Sequence, residues 1–338
     1  MSPYTESHVT PQGPGDARPT AMQIVKDEGL EGKLAGKVVV ITGTSSGLGV
    51  ETARAMKATG AKLFVTARDT KKAKEALAGI IDEQDTVVEM DNTSLESVRK
   101  AGEKIMEESG GKVNILINNA GIMAVPDLRL TAGGHELQFA TNHLSHFLFF
   151  KILQPGLLAG STDNLTSRVV VVASSGHRVK GLNASDNYNF EKGGYEAWTA
   201  YGQSKTANVY FANEIDRRFG GQGLHAISLN PGTIHTPLSR HLDEAAQSMF
   251  AQVPGLDKKM KSVEQGAATT LLAAIGKEWE GRGGKYMEDC AEAPRGEDDY
   301  NPLSPGYVSH TYDVEEAKRL WADSLKMVGL PEESDPAL

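Results

Sequence analysis

Residues 37–49 read Lys-Val-Val-Val-Ile-Thr-Gly-Thr-Ser-Ser-Gly-Leu-Gly. An apolar, β-branched run over 38–42 is followed by a loop holding Gly43, Gly47 and Gly49, and then by helical spacing over 48–59. Glycines let a backbone turn tightly and come close to a ligand, and a helix start offers unpaired N–H donors at the positive end of its dipole. A glycine loop alone is also compatible with a plain structural turn. Set between strand and helix, it predicts a cradle for the pyrophosphate of a dinucleotide, formed by Gly43, Thr44, Ser45, Ser46, Gly47, Leu48 and Gly49.

The same rhythm continues on either side. Short apolar runs recur at 63–66, 87–90, 113–117, 169–173 and 225–229, separated by helical spacing over 71–80, 95–108, 134–153 and 200–219. Short buried strands alternating with helices predict parallel β-α-β units joined by right-handed crossovers. The fold class expected is α/β: a doubly wound parallel sheet (Rossmann fold) of about seven strands with helices on both faces, in a single domain over 34–338. A helix over 263–275, a seventh strand near 284–287 and a closing helix over 313–329 complete it. In that closing helix Val314, Ala317, Leu320, Trp321 and Leu325 share one face. Residues 1–33, rich in Pro, Gly, Ser and Thr, read as a tail or arm with one short helix near 21–28, and a disordered leader is the simpler expectation. The stretch 237–262 carries no strand pattern and reads as a substrate loop, and 290–338 as a C-terminal extension.

Lys plus Arg number 35 and Asp plus Glu 44, a net charge of −9. Such a surface repels nucleic acid and anionic lipid, so a phosphate-bearing ligand needs a local site. The single cysteine, Cys290, excludes an intrachain disulfide and predicts a reducing, cytoplasmic setting. No run approaches the roughly 18 apolar residues of a membrane span.

The end of the second strand bears on the choice of dinucleotide. An acidic residue there would hold a ribose 2′-hydroxyl and repel a 2′-phosphate. The position holds neutral Ala67 followed by Arg68, whose guanidinium can pair bidentately with phosphate. NADP(H) is therefore expected ahead of NAD, with an Arg68–Asp69 ion pair as the competing use of that arginine.

Taken together, Thr42-Gly-x-x-x-Gly-x-Gly49, Asn118-Asn-Ala-Gly121, Asn142, Ser175, Tyr201-x-x-x-Lys205 and Pro231-Gly232 resemble the short-chain dehydrogenase/reductase family in order and spacing over about 34–290. The stretches 141–147 and 286–290, with Arg319-Leu-Trp321, look most like its retinol dehydrogenase and WW-domain oxidoreductase-like branch, whose membrane anchor this sequence lacks. The resemblance implies hydride transfer between a nicotinamide and a carbonyl or alcohol on a small, moderately apolar molecule.

Tyr201 and Lys205 lie four apart on a predicted helix and project from one face. A tyrosine, ordinarily near pKa 10, is a poor base, and a nearby ammonium favours its phenolate form. The resemblance implies that Ser175, with Ser174 as rival, donates to the substrate oxygen. It also implies that Asn142 kinks its helix and holds a water, and that Lys205 bonds the nicotinamide ribose. Asp91 would lie by the adenine and Asn118 by the ribose, with Asn92, Ala120 and Gly121 also against the cofactor, and Pro231, Gly232, Ile234 and Thr236 along the carboxamide. It further implies a homodimer or tetramer formed through the helices bearing Asn142 and Tyr201. His143 and His146 have an i, i+3 spacing, but no carboxylate or cysteine set completes a metal site, so packing histidines are expected. Met249 and Phe250 read equally as pocket lining or loop packing, and His177, Tyr188 and Trp198 as pocket or surface. A catalytically silent dinucleotide sensor on the same fold would lose the tyrosine, lysine or serine, and this chain keeps all three.

Overall fold

The computed structural model describes residues 3–242, 248 and 252–335. In chain order the elements are α1 (Ala21–Asp27), β1 (Val38–Thr42), α2 (Leu48–Ala58), β2 (Lys62–Ala67), α3 (Thr70–Ala76), β3 (Thr86–Glu89), α4 (Leu95–Glu108) and β4 (Ile115–Asn118). A short α5 (Leu137–Phe139) runs through a π-turn (Ala140–Leu144) into α6 (Ser145–Gly160). Then come β5 (Ser167–Val172), α7 (Ala197–Phe219), β6 (Leu224–Asn230), α8 (Leu256–Lys259), α9 (Val263–Gly266), α10 (Ala268–Ile275), β7 (Lys285–Glu288), β8 (Ala291–Glu292) and α11 (Val314–Met327).

The strands form one sheet in the order β3-β2-β1-β4-β5-β6-β7-β8, parallel throughout except for β8. The eighth strand, beyond the seven expected, is a two-residue return that pairs Glu288 with Ala291. All five residues of β1 are buried because both faces of the sheet are covered. Val38 and Val40 pack with α4, α6, α7 and α11, whereas Val39 and Ile41 pack with α1, α2 and α10, the alternation a strand imposes. Strand order reverses between β1 and β4, so a crevice opens beyond Thr42 and Asn118, where such sheets bind ligands.

Two peripheral segments complete the core. Residues 3–33 form an arm laid on the domain, anchored by Ala21, Ile24 and Val25 of α1, all fully buried beside α10. At the other end, α11 lies across α6 and α7. Its Trp321 sits among Phe147, Phe150, Phe211 and Phe219, with ring centroids 5.0–6.3 Å away. The face through which the resemblance implies subunit pairing is thus partly covered by the chain's own helix. Among the described residues no helix is long and apolar enough to cross a membrane.

Candidate active site

The glycine loop leaves β1 at the reversal of strand order. Gly43 has φ +75°, and a Cβ there would stand 2.8 Å from Ala120 Cα, so the loop passes hard against the segment after β4. A Cβ on Gly49 would meet Asn119 Nδ2 at 2.7 Å, which lets α2 start directly behind the loop. Gly43 N and Thr44 N both donate to the Thr66 carbonyl, fixing the loop to the end of β2. The N-cap of α2 is Gly47, and no side chain caps it, so the first-turn amides have no side-chain acceptor. Asn119 holds this arrangement from β4: its Nδ2 donates to the Thr42 carbonyl at 2.9 Å, and its N–H and that of Ala120 both donate to Thr42 Oγ1.

Of the residues expected beside a ribose and adenine, Asn118 ends β4 at the reversal of strand order, and Asp91 and Asn92 follow β3. Both amide atoms of Asn118 are buried without a protein partner, as for a group that meets a ligand or water. Asp91 Oδ1 accepts from Thr93 N and Oγ1 in a tight turn, and Asn92 Nδ2 donates to Ser145 Oγ at 2.8 Å, tying that turn to α6. Beyond β6, Ile234 lies by Leu48, and Thr236 stands beside Gly47 while its Oγ1 accepts from Leu238 N, so this segment closes on the glycine loop.

Four side chains converge beside Gly121 and the end of β5. Asn142 lies inside the π-turn, an irregularity often found at functional sites. Its Oδ1 accepts from Ile122 N, and its Nδ2 donates to the Ile122 carbonyl and Ser204 Oγ, each at 2.9 Å. Tyr201 and Lys205 project from one face of α7, and Lys205 Nζ lies 5.6 Å over the Tyr201 ring while donating to the Val172 carbonyl at 3.0 Å. The fourth is Ser174, within hydrogen-bonding reach of the Tyr201 hydroxyl. On sequence Ser174 stood as the rival of Ser175, and it is Ser174 that pairs with Tyr201 here. The chain beyond β5 is still extended at Ser174 (φ −176°), whereas Ser175 already opens the 3₁₀ turn Ser175–Arg178, and neighbouring residues of an extended segment face opposite sides.

A family model described as short chain dehydrogenase matches residues 37–247, well over half of the chain. The chain is a member of the short-chain dehydrogenase/reductase family. Similar proteins include the short-chain dehydrogenase/reductase prx1 of Penicillium roqueforti, 46 % identical over 97 % of this chain and 96 % of that one. The oxidoreductase calI of Penicillium decumbens is 43 % identical over 98 % and 99 %. A solved structure of an uncharacterized protein from Mycobacterium paratuberculosis superposes with a TM-score of 0.66 at 33 % identity, covering 88 % of this chain and 95 % of its own.

In this short-chain dehydrogenase/reductase, burial governs the charge state of the paired residues. It drives the Tyr201 phenol up to about 12, with the Ser174 hydroxyl pulling the other way, and it drives the Lys205 ammonium down to about 7. The expected lowering of the tyrosine by its lysine is therefore outweighed in the protein alone, because desolvation penalises both charged forms. The crevice fits a nicotinamide dinucleotide, the cofactor class of the family: the uncapped start of α2 suits the pyrophosphate and the unpartnered Asn118 amide a polar ligand edge.

The remaining candidates fall outside this cluster. His146 bonds Thr42 Oγ1 and the Asn142 carbonyl, His143 bonds Ser324 Oγ, and both are fully buried. His177 is internal, bonding the Ser174 carbonyl and Thr311, and Tyr188 is internal against Asp323. Trp198 stays near the site, its ring 6.0 Å from that of Tyr201. Met249 and Phe250 lie outside the described residues. Sequence reasoning passed over Asn119, although it stands inside the quoted Asn118–Gly121 motif, and Gly176, where a Cβ would stand 2.8 Å from the Tyr201 ring. Nothing in the sequence pointed to Arg240, whose guanidinium is held below its ordinary value by partial burial and by neighbouring Arg68.

Proposed function

We propose that this oxidoreductase interconverts an alcohol and a ketone or aldehyde on a small, moderately apolar molecule, with NADP(H) in preference to NAD(H). The observation that carries the reading is the convergence of Ser174, Tyr201, Lys205 and Asn142 at the mouth of the dinucleotide crevice. The glycine loop from Gly43 to Gly49 would hold the pyrophosphate, Asp91, Asn92, Asn118, Ala120 and Gly121 the adenosine side, and Pro231, Gly232, Ile234 and Thr236 the nicotinamide side. When bound, the nicotinamide supplies or accepts the hydride.

The chain's own residues manage the proton. Ser174 Oγ donates a hydrogen bond to the substrate oxygen and fixes it beside Tyr201. The Tyr201 hydroxyl gives its proton to that oxygen in reduction and takes it back in oxidation. A protonated Lys205 beside the phenol favours the phenolate form, and the positive charge of an oxidised nicotinamide would add to that effect. Asn142 holds the segment 121–122 against α7, so Lys205 keeps its distance from the ring.

The NADP(H) preference rests on the positive end of β2. Neutral Ala67 leads into exposed Arg68, with Arg240 close enough to feel its charge. Asp69 is occupied elsewhere, its Oδ1 accepting from Lys72 N as the N-cap of α3. Two guanidiniums without an intervening carboxylate suit a 2′-phosphate.

The test is NADPH and NADH consumption with a panel of aldehydes and ketones, wild type against Tyr201→Phe and Arg68→Ala. Turnover that falls by at least about 100-fold in Tyr201→Phe, the contribution expected of a general acid, supports the reading. Arg68→Ala is expected to weaken NADPH by about tenfold or more and NADH little. Full activity in Tyr201→Phe would sink the mechanism, and equal losses for both dinucleotides would sink the preference.

A further inference from the structure

The chain leaves the sheet at Pro231, and Lys261 comes back beside the segment that follows, tied to it. Lys261 N donates to the Thr233 carbonyl at 2.9 Å, and Ile234 and Lys261 form a parallel bridge. The Lys261 side chain, 4 % exposed, is wedged under the turn: a Cβ on Gly232 would stand 3.0 Å from its Cε. Its Nζ donates to Asp289 Oδ1 at 2.7 Å. Asp289 and Cys290 both have positive φ (+49° and +56°) in the turn between β7 and β8, a conformation that costs non-glycine residues energy and persists where surrounding structure demands it.

The N-terminal arm grips this junction from a third side. Arg18, also 4 % exposed, donates to the carbonyls of Met260 at 2.6 Å, Lys259 at 2.8 Å, Gly13 at 3.0 Å and Lys258 at 3.4 Å, and its Nε pairs with Asp16 at 2.8 Å. Gln265 of α9 clasps the same arm, accepting from Gly15 N and donating to the Asp16 and Arg18 carbonyls. A planar fork with five N–H donors can serve four carbonyls and a carboxylate at once, which the three donors of an ammonium cannot.

We propose that the N-terminal arm belongs to the dinucleotide site, with Arg18 and Lys261 as positioning residues that hold the Pro231–Gly232 turn against the nicotinamide end of the cofactor. The chain of contacts runs from Arg18 to the backbone of 258–260, through the Lys261 side chain, to Gly232. This rests on the dinucleotide reading above, and it assigns a role to a segment that precedes the glycine loop and lies outside it. Loss of the grip leaves three consecutive carbonyls without their donor and frees Lys261 to shift, so the nicotinamide end suffers while the adenosine end, held by the glycine loop, does not.

The test compares two ligands that differ at the nicotinamide end, NADP⁺ and 2′-phospho-ADP-ribose, by fluorescence titration of the full chain. Arg18→Ala is expected to weaken NADP⁺ about tenfold and 2′-phospho-ADP-ribose less than twofold. Added guanidinium, but not sodium chloride at equal ionic strength, restores NADP⁺ affinity to Arg18→Ala, and replacement by lysine in Arg18→Lys does not. Trypsin supplies a readout free of cofactor, since Arg18 holds the carbonyls at which it would cut: cleavage after Lys258 or Lys259 is expected about tenfold faster in Arg18→Ala. If that variant does not fold, Lys261→Met keeps the arm's contacts and is expected to show the same selective loss. Equal losses for both ligands, no loss, or unchanged cleavage at Lys258 and Lys259 overturns the inference. Wild type that binds neither ligand overturns the dinucleotide reading instead.

Discussion

Gly49→Ala isolates the contribution of the glycine loop from that of the rest of the crevice. The added methyl would stand 2.7 Å from Asn119 Nδ2 and 2.9 Å from the Gly43 carbonyl carbon, and nearer still to the Gly43 oxygen. Neither neighbour yields easily, since Gly43 is backbone and Asn119 is held by its bond to the Thr42 carbonyl. Overpacking of this kind costs about 1–3 kcal/mol. Alanine recovers about 1 kcal/mol as the better helix former in the first turn of α2. Stability should therefore fall by about 0–2 kcal/mol. Binding is different: a loop pushed off its course loses at least one charge-assisted N–H bond to the pyrophosphate, about 1.5–3 kcal/mol, which is about 10- to 150-fold in affinity. Titration with NADPH beside a thermal melt separates the two effects. A folded Gly49→Ala protein that binds NADPH within twofold of wild type would refute the placement of the pyrophosphate on this loop.

Three further outcomes are expected. Ser174→Ala should lower kcat by about 100-fold or more while Ser175→Ala changes it less than about threefold, and steady-state kinetics with the inverse ranking would return the role to Ser175. Lys205 is depressed from its ordinary 10.5 to about 7 by burial, so the unfolded chain binds the extra proton between those values and wild-type stability should rise from pH 7 toward 10.5. Urea unfolding of Lys205→Met across that window should lack the rise, and parallel profiles would contradict the assignment. Trp321→Ala, by emptying a space among four phenylalanines, should cost about 3–5 kcal/mol, measured by denaturant unfolding. A loss below about 1 kcal/mol would show that α11 is only loosely seated.

Several features of the site were legible because their cause is local. A β-branched run, three glycines and a helix start at Leu48 specify a strand, a turn and a helix within thirteen residues, and the crevice follows from where that unit stands in a parallel sheet. The spacing of Tyr201 and Lys205 likewise puts both on one face of any helix that contains them. Ser174 and Ser175 were not separable this way: β5 ends at Val172, and which hydroxyl meets the tyrosine depends on where the extended backbone gives way to the 3₁₀ turn. Closeness of Gly176 to the Tyr201 ring was equally hidden, since it arises from the packing of α7 on that turn.

The order of strands and helices, the glycine loop and the paired tyrosine and lysine were therefore determined by the sequence itself, through residue periodicity and turn chemistry that act over a few positions. Burial that pushes the Tyr201 phenol up and the Lys205 ammonium down, the grip of Arg18 on residues some 240 positions away, and the covering of α6 and α7 by Trp321 were decided only by tertiary structure. Each depends on which distant surfaces the fold removes from water together, and no local pattern records that.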